Sequence, residues 1–529
     1  VLLTHRTVTA DDATAIALLN CLVREVCAPD RQVWRDGGRL VLRLPRAGVR
    51  LRAGLARPPV GPTFRLVPPV EERRGDAWEP AGWERIADLA AGELELATGR
   101  ANPEFPAQVR DSRTALDAIL AARAGVPDDP DPYLASERSL VAGHRFHPSP
   151  KARQGAPADW LPYAPEARAR FRARWLAVRA DAVAEGGDAG AFAALDAPPV
   201  PPGYRPLPVH PWQFALLAAR PVLRRALADG VVRDLGAGGP LVYPTSSVRT
   251  VHVPDADLFL KFSLDVRITN CVRKNAWYEL EGAVLLDGLL RPVFAGLDAD
   301  LLAEPAYRTV SLADPRLYEG FGTIVRQGVR GLPGTPLLAA ALADPYGTAL
   351  AGLPALASPD GAARWWDAYV RLTLRPVLAA YLDHGVVLEP HLQNVLMTVD
   401  DDGMPVRAVF RDLEGTKLTA GRWDLRGVPD AVRAAVSYDA ERGWNRVVYC
   451  LFVNHLAEVA AAVADLHPAL DRDLWRTVRR ALTGSGYADR PGVRALLAGV
   501  PFPAKANLRA RWGRDADRAA GYVPTLNPL

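Results

Sequence analysis

Lysine is nearly missing from this chain of 529 residues: five lysines stand against 59 arginines. Cysteine is scarce too. The four present, Cys21, Cys27, Cys271 and Cys450, form no Cys-x-x-Cys pair and no metal-ligand spacing. That excludes a disulfide scaffold and a structural zinc site, and leaves free thiols in a reducing compartment. No stretch approaches the roughly 18 uninterrupted apolar residues of a membrane span. The opening Val-Leu-Leu-Thr-His-Arg lacks the basic-then-apolar pattern of a signal peptide. Neither sign of charge prevails, with 64 basic and 60 acidic residues interspersed to a net +4, so neither a nucleic acid nor a membrane surface is expected as partner. No fixed-period repeat is present. What remains is a chain of ordinary globular composition, 49% hydrophobic and 23% charged. It is long enough for two to four domains of roughly 150 residues each, and the cytoplasm is its expected location.

The few lysines are informative by position. A chain that writes its generic surface cations as arginine keeps lysine where a compact, mobile point charge is useful, as on a phosphate. Lys151 lies in His144-Arg-Phe-His-Pro-Ser-Pro-Lys-Ala-Arg-Gln-Gly155. Lys261 and Lys274 bracket Lys261-Phe-Ser-Leu-Asp-Val-Arg-Ile-Thr-Asn-Cys-Val-Arg-Lys-Asn275. Three of five in such company point to an enzyme that handles phosphate.

The expected fold class is α+β and multidomain, with mixed or antiparallel sheets. Residues 1–135 begin with a helix over 11–26, marked by the stripe Ile16, Leu19, Val23, Val26. A strand pair over 40–44 and 49–52 follows, then helices over 83–98 and 112–124, and the Pro-Asp-Asp-Pro-Asp-Pro run at 127–132 marks a boundary. Residues 136–325 are expected to hold a helix over 165–185 and strands over 248–253 and 258–262. Residues 326–529 are expected to hold a helix over 361–383, a hairpin over 394–412 and mostly helix after Tyr438.

That hairpin carries the most specific chemistry. Val395–Val399 and Val406–Phe410 flank an Asp400-Asp-Asp-Gly403 turn. Counting outward from the turn pairs Val395 with about Phe410 and brings Asn394 and Asp412 to one open end, roughly 5 Å apart. An amide oxygen and a carboxylate there can share Mg²⁺, which takes oxygen ligands alongside substrate phosphates. Glu389 and His391 converge on the same end. A solvated hairpin mouth is the plainer alternative. The layout parallels protein-kinase-like phosphotransferases, with Lys261 as the strand lysine. No G-x-G-x-x-G loop precedes it, and Thr245-Ser-Ser-Val-Arg-Thr250 stands in that place. Thr269 and Arg273, four apart, read as one helix face of a polyanion site.

Together these motifs resemble the IucA/IucC family, the ATP-dependent siderophore synthetases that work without nonribosomal peptide machinery (NIS synthetases). The residues that carry the resemblance are the His144–Gly155 cluster, Pro208-Val-His-Pro-Trp-Gln213, Thr245–Thr250, Lys261, Ile268–Asn275, Glu389–Asn394, Arg411-Asp-Leu-Glu-Gly415 and Pro503-Ala-Lys-Ala-Asn-Leu-Arg509. Leu18–Glu25 is similar to an N-terminal segment of some members. Arg145 departs from the pattern, standing where the family often has proline, so either His144 or His147 would face the nucleotide.

The resemblance implies a thumb over 1–135, fingers over 136–325 and a distantly kinase-like palm over 326–529, in a homodimer. It implies AMP-forming adenylation of a carboxylate by Mg·ATP, then capture by an amine or hydroxyl. Ser247, Arg249, Thr250 and Lys261 would hold the phosphates. Thr269, Arg273 and His391 would bind the acid, and Glu389, Asn394 and Asp412 the nucleotide and its metal. His144 or His147, with Lys151, would complete the ATP site, and Lys505 would also reach the substrate. Lys261, Arg273 and His391 are the expected catalytic residues. The Ile-Thr-Asn-Cys-Val-Arg-Lys-Asn form is most similar to the citrate-using branch. A citryl or succinyl amide, α-ketoglutarate, or a kinase-like phosphotransfer reaction are the alternatives.

Overall fold

Thr9 starts the first helix by accepting a hydrogen bond from Asp12 N at 3.1 Å. In this computed structural model, which describes residues 9–268, 271–515 and 520–529 (backbone alone at 189, 267–268 and 271–273), that helix is Ala10–Leu22 and widens into a π-turn, Val23–Cys27. The expected stripe Ile16, Leu19, Val23, Val26 is buried. It packs in one core with the helix Trp83–Thr98 and a five-stranded antiparallel sheet over 33–80. The expected strand pair is there, Arg39–Arg43 with Arg50–Leu55, and Leu42 stands opposite Leu51.

An eight-stranded antiparallel sheet follows, in the order Val183–Gly187, Ala306–Val310, Thr323–Gln327, Leu258–Phe262, Thr250–Val253, Val232–Pro244, Phe171–Arg179, Tyr204–Val209. Two central strands are those expected around Pro254–Asp257. The helix expected over 165–185 is absent: Phe171–Arg179 is a strand inside this sheet. The Ala/Arg-rich composition favoured helix, but Phe171-Arg-Ala-Arg-Trp175 alternates with the two-residue period of a strand, and sheet neighbours on both sides decide the outcome. Cys271–Arg273 is likewise a strand, antiparallel to Leu264–Ile268 with Leu264 opposite Arg273. Arg273 thus stands on a strand where a helix was expected, while Thr269, its expected helix-face partner, lies outside the described residues.

The third part is built on a four-stranded mixed sheet, Asp300–Leu301, Pro405–Phe410, Val395–Val399, Thr335–Leu338, whose first pair is parallel. The expected hairpin register holds, with Val395 opposite Phe410. The helix Pro359–Leu382 and the long helix Ala440–Leu466 share the main core with it. Ala440–Leu466 is long and apolar enough to span a membrane, yet its most apolar window is wholly packed inside the protein, as suits a core helix. Its middle, Tyr449–Leu456, is a π-helix. Cys21, Cys27 and Cys450 are all buried. Chain ends are tied together: Arg57 and Arg65 each reach Asp465 at 2.6 Å, and Glu25 accepts from Leu508 N and Arg509 N at 3.0 Å.

Candidate active site

A cavity of about 1630 Å³ opens between the eight-stranded sheet and the mouth of the hairpin, and all five lysines line it. Ten of the 59 arginines line it as well, but lysine alone is gathered there in full, and that is the strongest link between composition and site.

Lys261 sits on the central strand Leu258–Phe262 with its side chain buried. Its ammonium lies 2.5 Å from Asp412 and 3.0 Å from Glu414. Arg249 adds a second cation, donating to Glu414 and to Asn275 Oδ1 at 2.6 Å each. Arg326 adds a third, 3.4 Å from Asp412 and 2.5 Å from buried Glu304. Burial alone would raise both carboxyls. Lys261 and Arg326 outweigh it at Asp412 and hold that group well below the usual range, while Arg249 and Lys261 hold Glu414 down to about 2. Burial opposes the charge on Lys261, and Asp412 and Glu414 more than restore it. This is a dense buried set of ionised groups beside open space.

The Thr245–Thr250 loop enters beside it. Thr245 N and Oγ1 both donate to Thr250 O, at 2.9 and 2.8 Å, closing the loop at its base. Val248 at its tip has φ +64°, and Asp412 has φ +78°. Both carry a Cβ in the left-handed region, a conformation that costs about 1–3 kcal/mol and gathers at functional sites. Ser246 is held by Glu137, its N at 3.0 Å and Oγ at 2.8 Å, and Gln393 Nε2 donates to Ser246 O at 2.9 Å. Arg411 pairs with the same Glu137. Ser246 therefore fixes the loop, while Ser247, Arg249 and Thr250 line the cavity.

At the hairpin mouth Arg411 N donates to Asn394 O at 3.1 Å, which puts Asn394 and Asp412 at one end, both lining the cavity. Glu389 is held 2.9 Å from Arg446. His391 lies beside it, with its pKa lowered by burial against the pull of Glu389 and Asp412, so the ring is neutral at pH 7.

The His144 motif closes the far wall. His147 Nδ1 accepts from Ser149 N at 3.1 Å and the residue is buried, whereas His144 is exposed to the cavity. The Lys151 ammonium lies 2.6 Å from Glu166, which also pairs with Arg153 at 2.6 Å. Lys505, at the end of the strand Phe502–Lys505, lines the same space. Arg145, the departure from the family pattern, is used by the fold: it donates to Glu458 at 3.1 Å and to Phe64 O. Thr269 lies outside the described residues, and of Arg273 only the backbone is described.

Arg326, Arg446, Glu137 and Asn454 stand in no sequence motif, and Asn275, the last residue of the Ile268–Asn275 motif, carries no role there. Each depends on a partner far away in the chain, as Lys274 does in pairing with Glu319 at 2.5 Å. No local pattern announces such pairs.

A family model described as the IucA/IucC family matches residues 132–344, and one described as a ferric iron reductase FhuF-like transporter matches 363–520. An L-2,3-diaminopropanoate–citrate ligase of Staphylococcus aureus is 31% identical over 435 residues, 75% of each chain. The rhizobactin siderophore biosynthesis protein RhbC of Rhizobium meliloti is 29% identical across 98% of this chain and 97% of its own. Among solved structures, ATP-bound aerobactin synthetase IucA of Klebsiella pneumoniae has a TM-score of 0.82 at 22% identity, covering 98% of this chain and 99% of that one.

Proposed function

This chain belongs to the IucA/IucC family, and from that premise we propose that it is an AMP-forming ligase which joins citrate to an amine or hydroxyl in siderophore biosynthesis. The observation that carries the reading is the cavity itself: every lysine of the chain lines it, around a fixed Lys261–Asp412–Glu414 cluster.

The chemistry follows from charge. A substrate carboxylate oxygen attacks the α-phosphorus of ATP, pyrophosphate leaves, and an acyl-adenylate forms. The nucleophile then attacks the acyl carbon, loses its proton, and AMP departs. Negative charge builds on phosphate oxygens in the first step, and preorganised cations stabilise it without reorganising. Lys261, Arg249, Ser247 and Thr250 are assigned to the phosphates, with His144 or His147 and Lys151 beside the nucleotide. Arg273, Thr269, His391 and Lys505 are assigned to the acid, Glu389 to the nucleotide. No covalent nucleophile from the protein is required.

Mg²⁺ fits the donor set. Asn394 offers an amide oxygen and Asp412 a carboxylate held ionised by its surroundings, and an ion that keeps several waters and phosphate oxygens needs no more from the protein. When bound, it would neutralise phosphate charge.

Residues 1–135, 136–325 and 326–529 are assigned as thumb, fingers and kinase-like palm of a cytoplasmic homodimer. Relatives are named for citrate joined to diaminopropanoate, to spermidine and to N6-acetyl-N6-hydroxylysine, which supports citrate as the acid and an amine as the partner. The deciding assay supplies citrate, ATP and a panel of amines, with hydroxylamine as surrogate nucleophile. Citrate-dependent AMP, pyrophosphate and hydroxamate are expected; ADP and phosphate would make this a kinase instead.

A further inference from the structure

From Val447 to Ala464 every residue of the long core helix is buried except Asn454, which faces the cavity from within the π-helix. A π-turn widens a helix and re-aims one side chain, and such turns gather at functional sites. The next residue, His455, reaches Pro390 O at 2.9 Å and the Tyr369 hydroxyl at 2.5 Å, so this turn braces the Glu389–Asn394 loop.

The hydrogen bonds of Asn454 fix its orientation. Leu392 N is a backbone donor, and it reaches Asn454 Oδ1 at 3.0 Å. The amide nitrogen therefore points the other way, to His144 Nε2 at 3.1 Å. His144 is constrained independently: its Nδ1 lies 3.1 Å from Phe146 N, another obligate donor, and so must accept. A neutral imidazole with Nδ1 accepting carries its proton on Nε2. Two N–H groups thus confront each other, one from each wall of the cavity, while the second hydrogen of the Asn454 amide is directed to the Tyr449 hydroxyl.

We propose that His144 Nε2–H and Asn454 Nδ2–H are a two-donor seat for one anionic oxygen of a substrate, a phosphate oxygen of the nucleotide or a carboxylate oxygen of the acid. Such an oxygen has lone pairs for both donors and would relieve their opposition. The seat gives His144, rather than capped His147, the contact with ligand. It also couples the His144 motif to the Glu389–Asn394 loop through one side chain. That the anion is a substrate rests on the ligase reading above.

The test measures binding of a non-hydrolysable ATP analogue and, separately, of citrate to the full-length protein by calorimetry. Asn454→Asp keeps the acceptor for Leu392 N and the shape, but replaces the donor with an anion. It should melt as wild type does and lose at least about tenfold in affinity for one of the two ligands, the range for a hydrogen bond to a charged group. The other ligand should bind unchanged, and the arm that fails identifies phosphate or carboxylate. In turnover the loss should fall on the KM of that same substrate. His144→Gln approaches the seat from the opposite wall and should weaken the same ligand. Variants that bind both ligands as wild type does, or that each weaken a different ligand, overturn the seat. Wild-type protein that binds neither ligand overturns the ligase reading and the seat's assignment with it.

Discussion

Lys261 and Asp412, 151 residues apart in the chain, meet with 2.5 Å between ammonium and carboxylate. The first is assigned to phosphate and the second to a metal, so in the free protein each serves as the other's counter-ion. Charged ligands can then enter by exchanging partners, and neither buried charge is left alone before they arrive. Glu414, 3.0 Å from the same ammonium, keeps Lys261 paired when Asp412 turns to a metal.

Replacing the lysine tests this. Lys261→Arg retains the charge but spreads it over a planar fork that cannot take three partners around one point. Turnover should fall at least tenfold, about 1.4 kcal/mol of transition-state stabilisation, with the thermal melt little changed. Steady-state rates with saturating ATP check it, and wild-type turnover would show that a point charge is not what the site needs.

Arg326 calls for a different measurement. It lies 2.5 Å from Glu304, whose side chain has no exposure. Arg326→Gln strands that carboxylate and should cost about 3–5 kcal/mol in chemical denaturation. The double variant Arg326→Gln with Glu304→Gln should recover much of this, since no buried charge is then unpaired. Additive losses in the double-mutant cycle would show that the two do not act as a pair.

How far the site could be read in advance depends on how local its causes are. The hairpin register was legible to about one residue from 395–410 alone, because an Asp/Gly turn lies between two apolar runs. The irregularity between Thr398 and Val399 that sets the exact pairing is not written in that pattern. Lys261 was found because lysine is rare. Arg326, Glu137 and Asn454 were missed because their meaning lies in partners on other elements: Glu137 binds Arg411 274 residues away. The strand Phe171–Arg179 was misread because alanine and arginine favour helix when no sheet is present to compete, and only the finished sheet supplies neighbours on both sides.

A pH effect follows from Glu25. Burial pushes its carboxyl up to about 7, against the pull of the Leu508 and Arg509 amides and of Arg24. The folded value lies above the unfolded value of about 4.3, so the folded state binds the proton more tightly. Stability from this group is complete below the unfolded value and is lost as pH rises through 7, a swing of about 4 kcal/mol at most. Glu25→Gln should remove that slope. Denaturation of both proteins at pH 4.5 and pH 7.5 reads it as a difference, and parallel pH profiles would show that Glu25 is ionised throughout.

The pairing of Asn394 with Asp412 gives the last prediction, on the metal. If both bind one Mg²⁺, replacing either should raise the Mg²⁺ concentration needed for half activity. The double variant should cost little more than the worse single one, because residues acting through one ion are not additive. Asp412→Ala should be that worse single change, since a carboxylate attracts a divalent ion more strongly than an amide does. Asp412 also holds Lys261 and lies 3.4 Å from Arg326, so its loss has a second route to inactivity. Magnesium separates the two: a missing ligand is offset by raising the ion concentration, whereas a displaced lysine is not. Asn394→Ala should thus recover at high Mg²⁺ nearly to wild type, and Asp412→Ala only in part. An unchanged Mg²⁺ requirement in both, with additive losses, would mean that the hairpin mouth holds no shared ion.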